Sequence, residues 1–239
     1  MKKICLLFAV FTLLNMCAAE LDSLQFLKIV RNASELNGST YGVLDGSAVH
    51  VRREKGRKIT EEYPCFMALI ITPEKSITQI ILNNEEGYLV GRLAGKSTSI
   101  RSIGKKGSVM ERIGISPREL SMSFLDDEFV RELPSQSVRM VKCRVMLLKN
   151  KNNSEWTKIY VAAEYFFVLK AEFFKNEPAE KSIPDRTLEV DSFAKKNYLY
   201  YTSSLALYGP GWRTDISFDK ADMNRYNPEN GTSIFRRLK

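Results

Sequence analysis

The sequence predicts a mainly β fold built on antiparallel sheet, and two observations carry that prediction. From Val138 to Met223, apolar-alternating segments follow one another across polar turns, with no long helical pattern between them. That spacing leaves no room for the helical crossovers that parallel strands need. The first half repeats the same theme with helical interruptions.

Taken in order, Leu21 to Leu36 places Phe26, Ile29, Val30, Ala33 and Leu36 at helical spacing. This is an amphipathic helix facing apolar material, ended by Asn37 and Gly38. Tyr41 to Val51, Ile59 to Ile71, Ser76 to Leu82 and Tyr88 to Leu93 read as four strands, with turns at Lys55-Gly56, Pro73-Glu74 and Asn83 to Gly87. Gly42 and Gly46 in the first of these suit a strongly curved strand. Gly95 to Gly114, dominated by Gly, Ser, Lys and Arg, reads as a mobile loop. Ser116, Pro117 and Glu119 form a capping box that starts a short helix presenting Leu120, Met122, Phe124 and Leu125.

The second half is a meander. Val138 to Lys149 alternates Val141, Cys143, Val145 and Leu147 against Lys142 and Arg144, as a strand with one apolar face does. Trp156 to Ala163 and Phe166 to Phe174 read as a hairpin, the latter setting Leu169, Ala171 and Phe173 against Lys170 and Glu172. Asn176 to Asp185 holds Pro178 and Pro184 and is loop. Arg186 to Phe193, Asn197 to Leu207 and Trp212 to Phe218 complete the series, the last two joined by a reversal at Gly209, Pro210 and Gly211.

The N-terminus bears on compartment. Lys2 and Lys3 precede an apolar run from Ile4 to Leu14, and Cys17, Ala18 and Ala19 supply small side chains before Glu20. Together they read as a secretory leader, residues 1–19, with cleavage after Ala19 and a periplasmic destination. The run is shorter than the ~20 residues a membrane span takes. Residues 20–239 are then expected to form a single domain, a length that suits one all-β unit.

The chain carries 36 Lys and Arg against 28 Asp and Glu, and loss of the two leader lysines leaves a net charge of +6. A basic balance suits anionic headgroups, an acidic partner or plain solubility. The basic clusters at Arg52 to Lys58 and Arg236 to Lys239 lack the interleaved aromatics of a nucleic-acid platform, so no nucleic acid is expected. Cys65 and Cys143 each sit inside an apolar strand pattern and read as two buried thiols rather than a bridge.

Catalysis finds little support. His50 is the one histidine, which limits a nucleophile–histidine arrangement to that residue and excludes a His-rich metal site. It reads as an exposed strand residue. The acidic pairs Glu61-Glu62, Glu85-Glu86 and Asp126-Asp127-Glu128 read as split across a strand or as solvated charge. No catalytic residue, metal or cofactor is expected.

What the pattern leaves is a sheet with apolar side chains on both faces. Phe66, Ala68 and Ile70 alternate with Cys65, Met67, Leu69 and Ile71 on one strand. A two-sided sandwich core and a curved sheet with one face offered to a ligand fit that alternation equally.

The order from Ile115-Ser-Pro-Arg-Glu-Leu-Ser-Met-Ser-Phe-Leu125, through Trp156 to Phe174 and Arg186-Thr-Leu-Glu-Val-Asp191, to Trp212-Arg-Thr-Asp-Ile-Ser-Phe-Asp-Lys-Ala-Asp-Met223 resembles the outer-membrane lipoprotein-sorting proteins, relatives of the periplasmic lipoprotein carrier LolA. The resemblance implies an incomplete, unclosed antiparallel β-barrel with helices covering the concave face and an apolar cavity for acyl chains. It implies a monomeric periplasmic carrier or binding protein for lipid or lipoprotein acyl chains, served by inner-membrane donor and outer-membrane acceptor proteins. Leu21 to Leu36 would be the first covering helix and Leu120 to Leu125 part of the lid or its approach.

On that picture the candidate lining is Met67, Leu69, Ile71, Val145, Leu147, Leu169, Phe173, Ile216 and Phe218, each equally readable as core. One departure stands out. Where the carrier has an Arg-Pro pair whose arginine holds the lid closed, this chain has Tyr63-Pro64. A sensor or protein-binding module on the same fold is the alternative reading, and an exported hydrolase a more distant one.

Overall fold

The computed structural model describes residues 21–32, 38–93, 98–104, 109–227 and 234–238. The leader expectation falls outside them. Helix α1 (Ser23–Asn32) is followed by strands β1 (Thr40–Glu54), β2 (Arg57–Ile71), β3 (Lys75–Leu82), β4 (Glu86–Leu93) and β5 (Ser99–Gly104). Two single-turn helices come next, α2 (Val109–Arg112) and α3 (Pro117–Leu120), with a 3-10 turn at Ser123–Asp126. The meander then runs β6 (Glu128–Val138), β7 (Val141–Lys149), β8 (Trp156–Ala162), β9 (Val168–Phe174), β10 (Arg186–Lys196), β11 (Leu199–Gly209) and β12 (Trp212–Arg225).

All twelve strands belong to one antiparallel sheet in the order β5-β4-β3-β2-β1-β12-β11-β10-β9-β8-β7-β6. Two meanders are joined where β1 pairs with β12. Because β5 and β6 are opposite edges, the sheet curls without closing, and α1, α2, α3 and the 3-10 turn cover its concave face. This is the incomplete barrel the resemblance implied.

Curvature is built into the strands by bulges, which add an extra residue on one side of a ladder and sharpen its bend. One lies at Asp45/Gly46 opposite β12. A Cβ on Gly46 would run into the Ser217 carbonyl oxygen and stand 2.7 Å from the Phe218 Cα, so only glycine lets β12 approach there. A second lies at Tyr160/Val161 in the β8–β9 ladder, and others interrupt β10 against β11.

The main core lies on the concave side, where Phe26, Leu27 and Val30 of α1 meet Met110, Ile113, Leu120, Phe124 and the inward residues of the strands. Two smaller apolar clusters occupy the outer face. Cys143, Val145 and Tyr160 pack with Leu133, Val138 and Leu169. Phe66, Ala68 and Ile81 are covered by Ile234, Phe235 and Leu238 of the C-terminal segment. That strap is pinned by Gln79, whose amide exchanges two 2.8 Å hydrogen bonds with the Arg236 backbone, and by Arg236 paired to Asp45. Both faces of β2 are apolar because each has its own cover.

Three sequence expectations are corrected. The stretch read as a loop from Gly95 to Gly114 contains β5, paired with β4, and α2. β6, although edge-lying and interrupted by Pro134, pairs with β7, where no strand was expected. His50 is 2 % exposed rather than solvent-facing: its Nδ1 lies 2.8 Å from the Thr214 hydroxyl, which itself donates to the Ile113 carbonyl. Burial holds the His50 imidazole below its ordinary pKa.

Candidate functional site

The concave face and its roof form the candidate site. Asp22 caps α1 by accepting from the Gln25 N–H, and the helix turns Phe26, Leu27 and Val30 down onto the sheet. The capping box starting α3 is present in full: Ser116 accepts from the Glu119 N–H, and the Glu119 carboxylate accepts from the Ser116 N–H at 2.8 Å. That turn delivers Leu120 and, through the following 3-10 turn, Phe124, which meets Phe173 of β9 edge to face at 5.4 Å between ring centroids. Phe26 contacts Phe166 at 5.0 Å.

Arginines fasten this roof at its margins. Arg31 of α1 donates to the carbonyls of Leu125, at 2.6 Å, and Asp127, joining the two parts of the roof to each other. Arg118 bridges Asp127 and Glu155, while Arg186 of β10 pairs with Glu119 and, at 2.6 Å, with Glu155, its guanidinium 4.7 Å above the Phe173 ring. Arg92 reaches Asp126 at 3.3 Å. At the other end Arg144 donates to the Leu21 carbonyl at 2.9 Å, stacks 4.4 Å from the Phe26 ring centroid, and is held by Glu132.

The charges are unevenly hydrated. Glu119 is 1 % exposed, and burial raises its pKa although Arg186 and Ser116 pull it down. Burial likewise raises that of Asp127 against the opposing Arg118. Hydrogen bonds from Arg144, then from Ser23, lower that of Glu132 despite its partial burial. Glu86, expected to be solvated, is buried and accepts from the Val109 and Met110 N–H groups at the start of α2. Asp127 is also a correction to the solvated reading, its side chain being 9 % exposed.

The sequence-predicted lining divides between the two faces. Met67, Phe173, Ile216 and Phe218 lie in the concave core, with half-buried Leu69 and Ile71 following Met67 by alternation. Val145 and Leu169 lie in the outer cluster, and Leu147 follows Val145 by alternation. The β8–β9 bulge explains Leu169: Tyr160 pairs with Lys170 and Val161 with Val168, so Leu169 is the extra residue and leaves the face of Ala171 and Phe173. On β7 the concave residues are Met146 and Leu148. Arg144 shares their face because its guanidinium covers Phe26, so a charged residue marks the inner side of the strand.

The roof arginines and their carboxylates escaped the sequence reading. The one available signal was Glu119, already singled out as the N3 residue of a capping box next to an apolar run. Nothing local indicates that Arg186, far along the chain, meets it. Tyr63 of β2 is reached from the roof: Arg112 of α2 donates to its hydroxyl at 2.6 Å and to Glu61 at 3.0 Å. Cys65 faces the concave core and Cys143 the outer cluster, so the two thiols are free, buried and on opposite sides of the sheet.

No family model matches the chain, and none of the curated proteins matches it by sequence. Solved structures do share its fold. An outer membrane lipoprotein-sorting protein domain from Vibrio parahaemolyticus superposes with a TM-score of 0.61 at 11% identity, covering 84% of this chain and 94% of that one. A DUF1329 family protein from Desulfovibrio piger superposes with a TM-score of 0.58 at 14% identity, covering 84% and 92%. At these identities the likeness is one of fold.

Proposed function

We propose that the protein is a periplasmic carrier or binding protein that shelters lipid or lipoprotein acyl chains between the concave sheet and its roof. The observation that supports this reading is the construction of the roof. It consists of one ten-residue helix, two single turns and a 3-10 turn, apolar beneath and fastened along the margins by arginine–carboxylate pairs. Such a cover is assembled from short pieces, and Arg31 ties the first helix to the 3-10 turn and the residue after it. Where the resemblance implied a cavity, the concave face is packed by the protein's own side chains, with Phe26 and Phe124 fully buried and Phe166 against Phe26, so an acyl chain binds there only by displacing them.

The chemistry is sequestration. Each methylene withdrawn from water contributes about 0.8 kcal/mol, and because the ligand displaces apolar side chains that must find another apolar contact, net affinity stays moderate and release remains easy. Arg31, Arg118 and Arg186 set how readily the roof lifts. Arg112 of α2 ties the roof to β2 through Tyr63 and Glu61.

Native mass spectrometry of protein purified without detergent from the cells that make it tests the reading, together with titration of a fluorescent fatty acid. A lipid adduct and saturable binding that weakens on Phe173→Asp are the expected results. A clean apo mass with no saturable binding would overturn it.

A further inference from the structure

Three reversals at one end of the sheet carry large apolar side chains into water. The β6–β7 turn is Arg139-Met140, with φ of 47° and 67°, and the β10–β11 turn is Asn197-Tyr198, with φ of 46° and 67°. Both are two-residue turns in which the second position ordinarily belongs to glycine. Here it holds Met140, 99 % exposed, and Tyr198, 88 % exposed. The β8–β9 turn adds Tyr165, which is exposed, as is Tyr200 on β11.

Every second reversal of an antiparallel meander falls at the same end, so the β6–β7, β8–β9 and β10–β11 turns share one, and contacts link them to neighbouring strands. Arg139 donates to the carbonyls of Val190 and Asp191 and pairs with the Asp191 carboxylate. Phe167 stacks on Phe193 at 5.0 Å and lies 6.3 Å from Tyr200. Between Tyr165 and Phe167, Phe166 points inward onto Phe26 of α1, so this rim adjoins the roof.

The rim is basic. Lys142, Lys195 and Lys196 are exposed, and among the described residues none of them forms an ion pair. Lys195 lies 5.6 Å from the Tyr198 ring centroid and 5.1 Å from that of Tyr200. Of the acids nearby, Glu189 and Asp191 are engaged by Arg139, and Asp222, next to the Met223 carbonyl that Asn197 contacts, accepts from the Tyr41 hydroxyl at 3.3 Å, which leaves Glu164 facing the lysines. Apolar prongs set among lysines match the boundary between acyl chains and anionic headgroups, where aromatic rings and long basic side chains are each half solvated.

We infer that this rim docks the protein on a bilayer surface rich in anionic lipid. The inference does not require an acyl chain in the concave face, and its test uses vesicles rather than a free fatty acid, so either reading can fail alone.

The test is flotation of the purified protein with phosphatidylethanolamine vesicles, with and without phosphatidylglycerol. Met140→Gly with Tyr198→Gly relieves both positive-φ positions, so the melting temperature is expected to rise while vesicle partition falls about tenfold. Lys195→Glu with Lys196→Glu is expected to lower partition by about fivefold or more per residue, on anionic vesicles only. Absence of flotation by the unsubstituted protein, equal flotation of all three proteins, or equal partition with and without phosphatidylglycerol would overturn the proposal. So would self-association abolished by the glycine pair without any vesicle binding, which would make the rim a contact between copies.

Discussion

Arg186 and Glu119 show how much of the closed roof depends on single side chains. Glu119 is buried with one arginine and its own helix cap, so Arg186→Ala strands a carboxylate away from water and is expected to cost about 3–5 kcal/mol in urea unfolding. Glu119→Gln in the same background should recover part of that loss. The pH dependence has a definite sign. A carboxyl whose folded pKa is raised contributes stability fully below its unfolded value of 4.5, and that contribution is lost as pH rises through the folded value. Unfolding measured across that window should lose this downward component in Glu119→Gln. At this scale the sequence was least informative: His50, Glu86 and Asp127 looked like surface residues because nothing local pairs them with Thr214 far along the chain, with the N–H groups that start α2, or with Arg118 on the preceding turn.

Among the elements, α1 and the C-terminal strap are held by a few polar contacts and an apolar face. Glu132 holds Arg144, which in turn holds the Leu21 carbonyl. Since the Glu132 pKa is lowered, its stabilisation is complete above the unfolded value of 4.5 and disappears as pH falls through the folded one. Amide exchange in α1 is therefore expected to accelerate below about pH 4.5, an acceleration that Glu132→Gln should abolish by weakening the anchor at every pH. Truncation before Ile234 uncovers Phe66 and Ile81 and should cost about 2 kcal/mol or more, with new binding of a hydrophobic dye. Helix α1, the capping box and most strands were legible from periodicity. β5 was not, because a six-residue edge strand with four exposed residues at its start has no apolar face to display.

The whole molecule is a single curled sheet whose two edges, β5 and β6, never meet. Its thiols report which surfaces are sealed: Cys65 lies in the concave core, where burial pushes its thiol up to about 12, and Cys143 in the outer cluster, where burial also raises it. Neither should react with a thiol reagent in the folded protein, and Cys65 should become reactive first if the roof opens without unfolding. Labelling kinetics followed by mass spectrometry check both statements, and simultaneous exposure of the two would mean that the roof lifts only with global unfolding.

Local pattern alone determined that this chain folds as antiparallel sheet with an amphipathic helix and a capped turn, because strand and helix periods are written in consecutive residues. Which face each apolar residue serves was decided only in three dimensions. A bulge of one residue reverses alternation, as at Leu169, and a guanidinium can cover an aromatic ring on the inner side, as Arg144 covers Phe26. The roof likewise belongs to the tertiary structure, since its fastening joins charges separated by up to 67 residues that no local signal pairs.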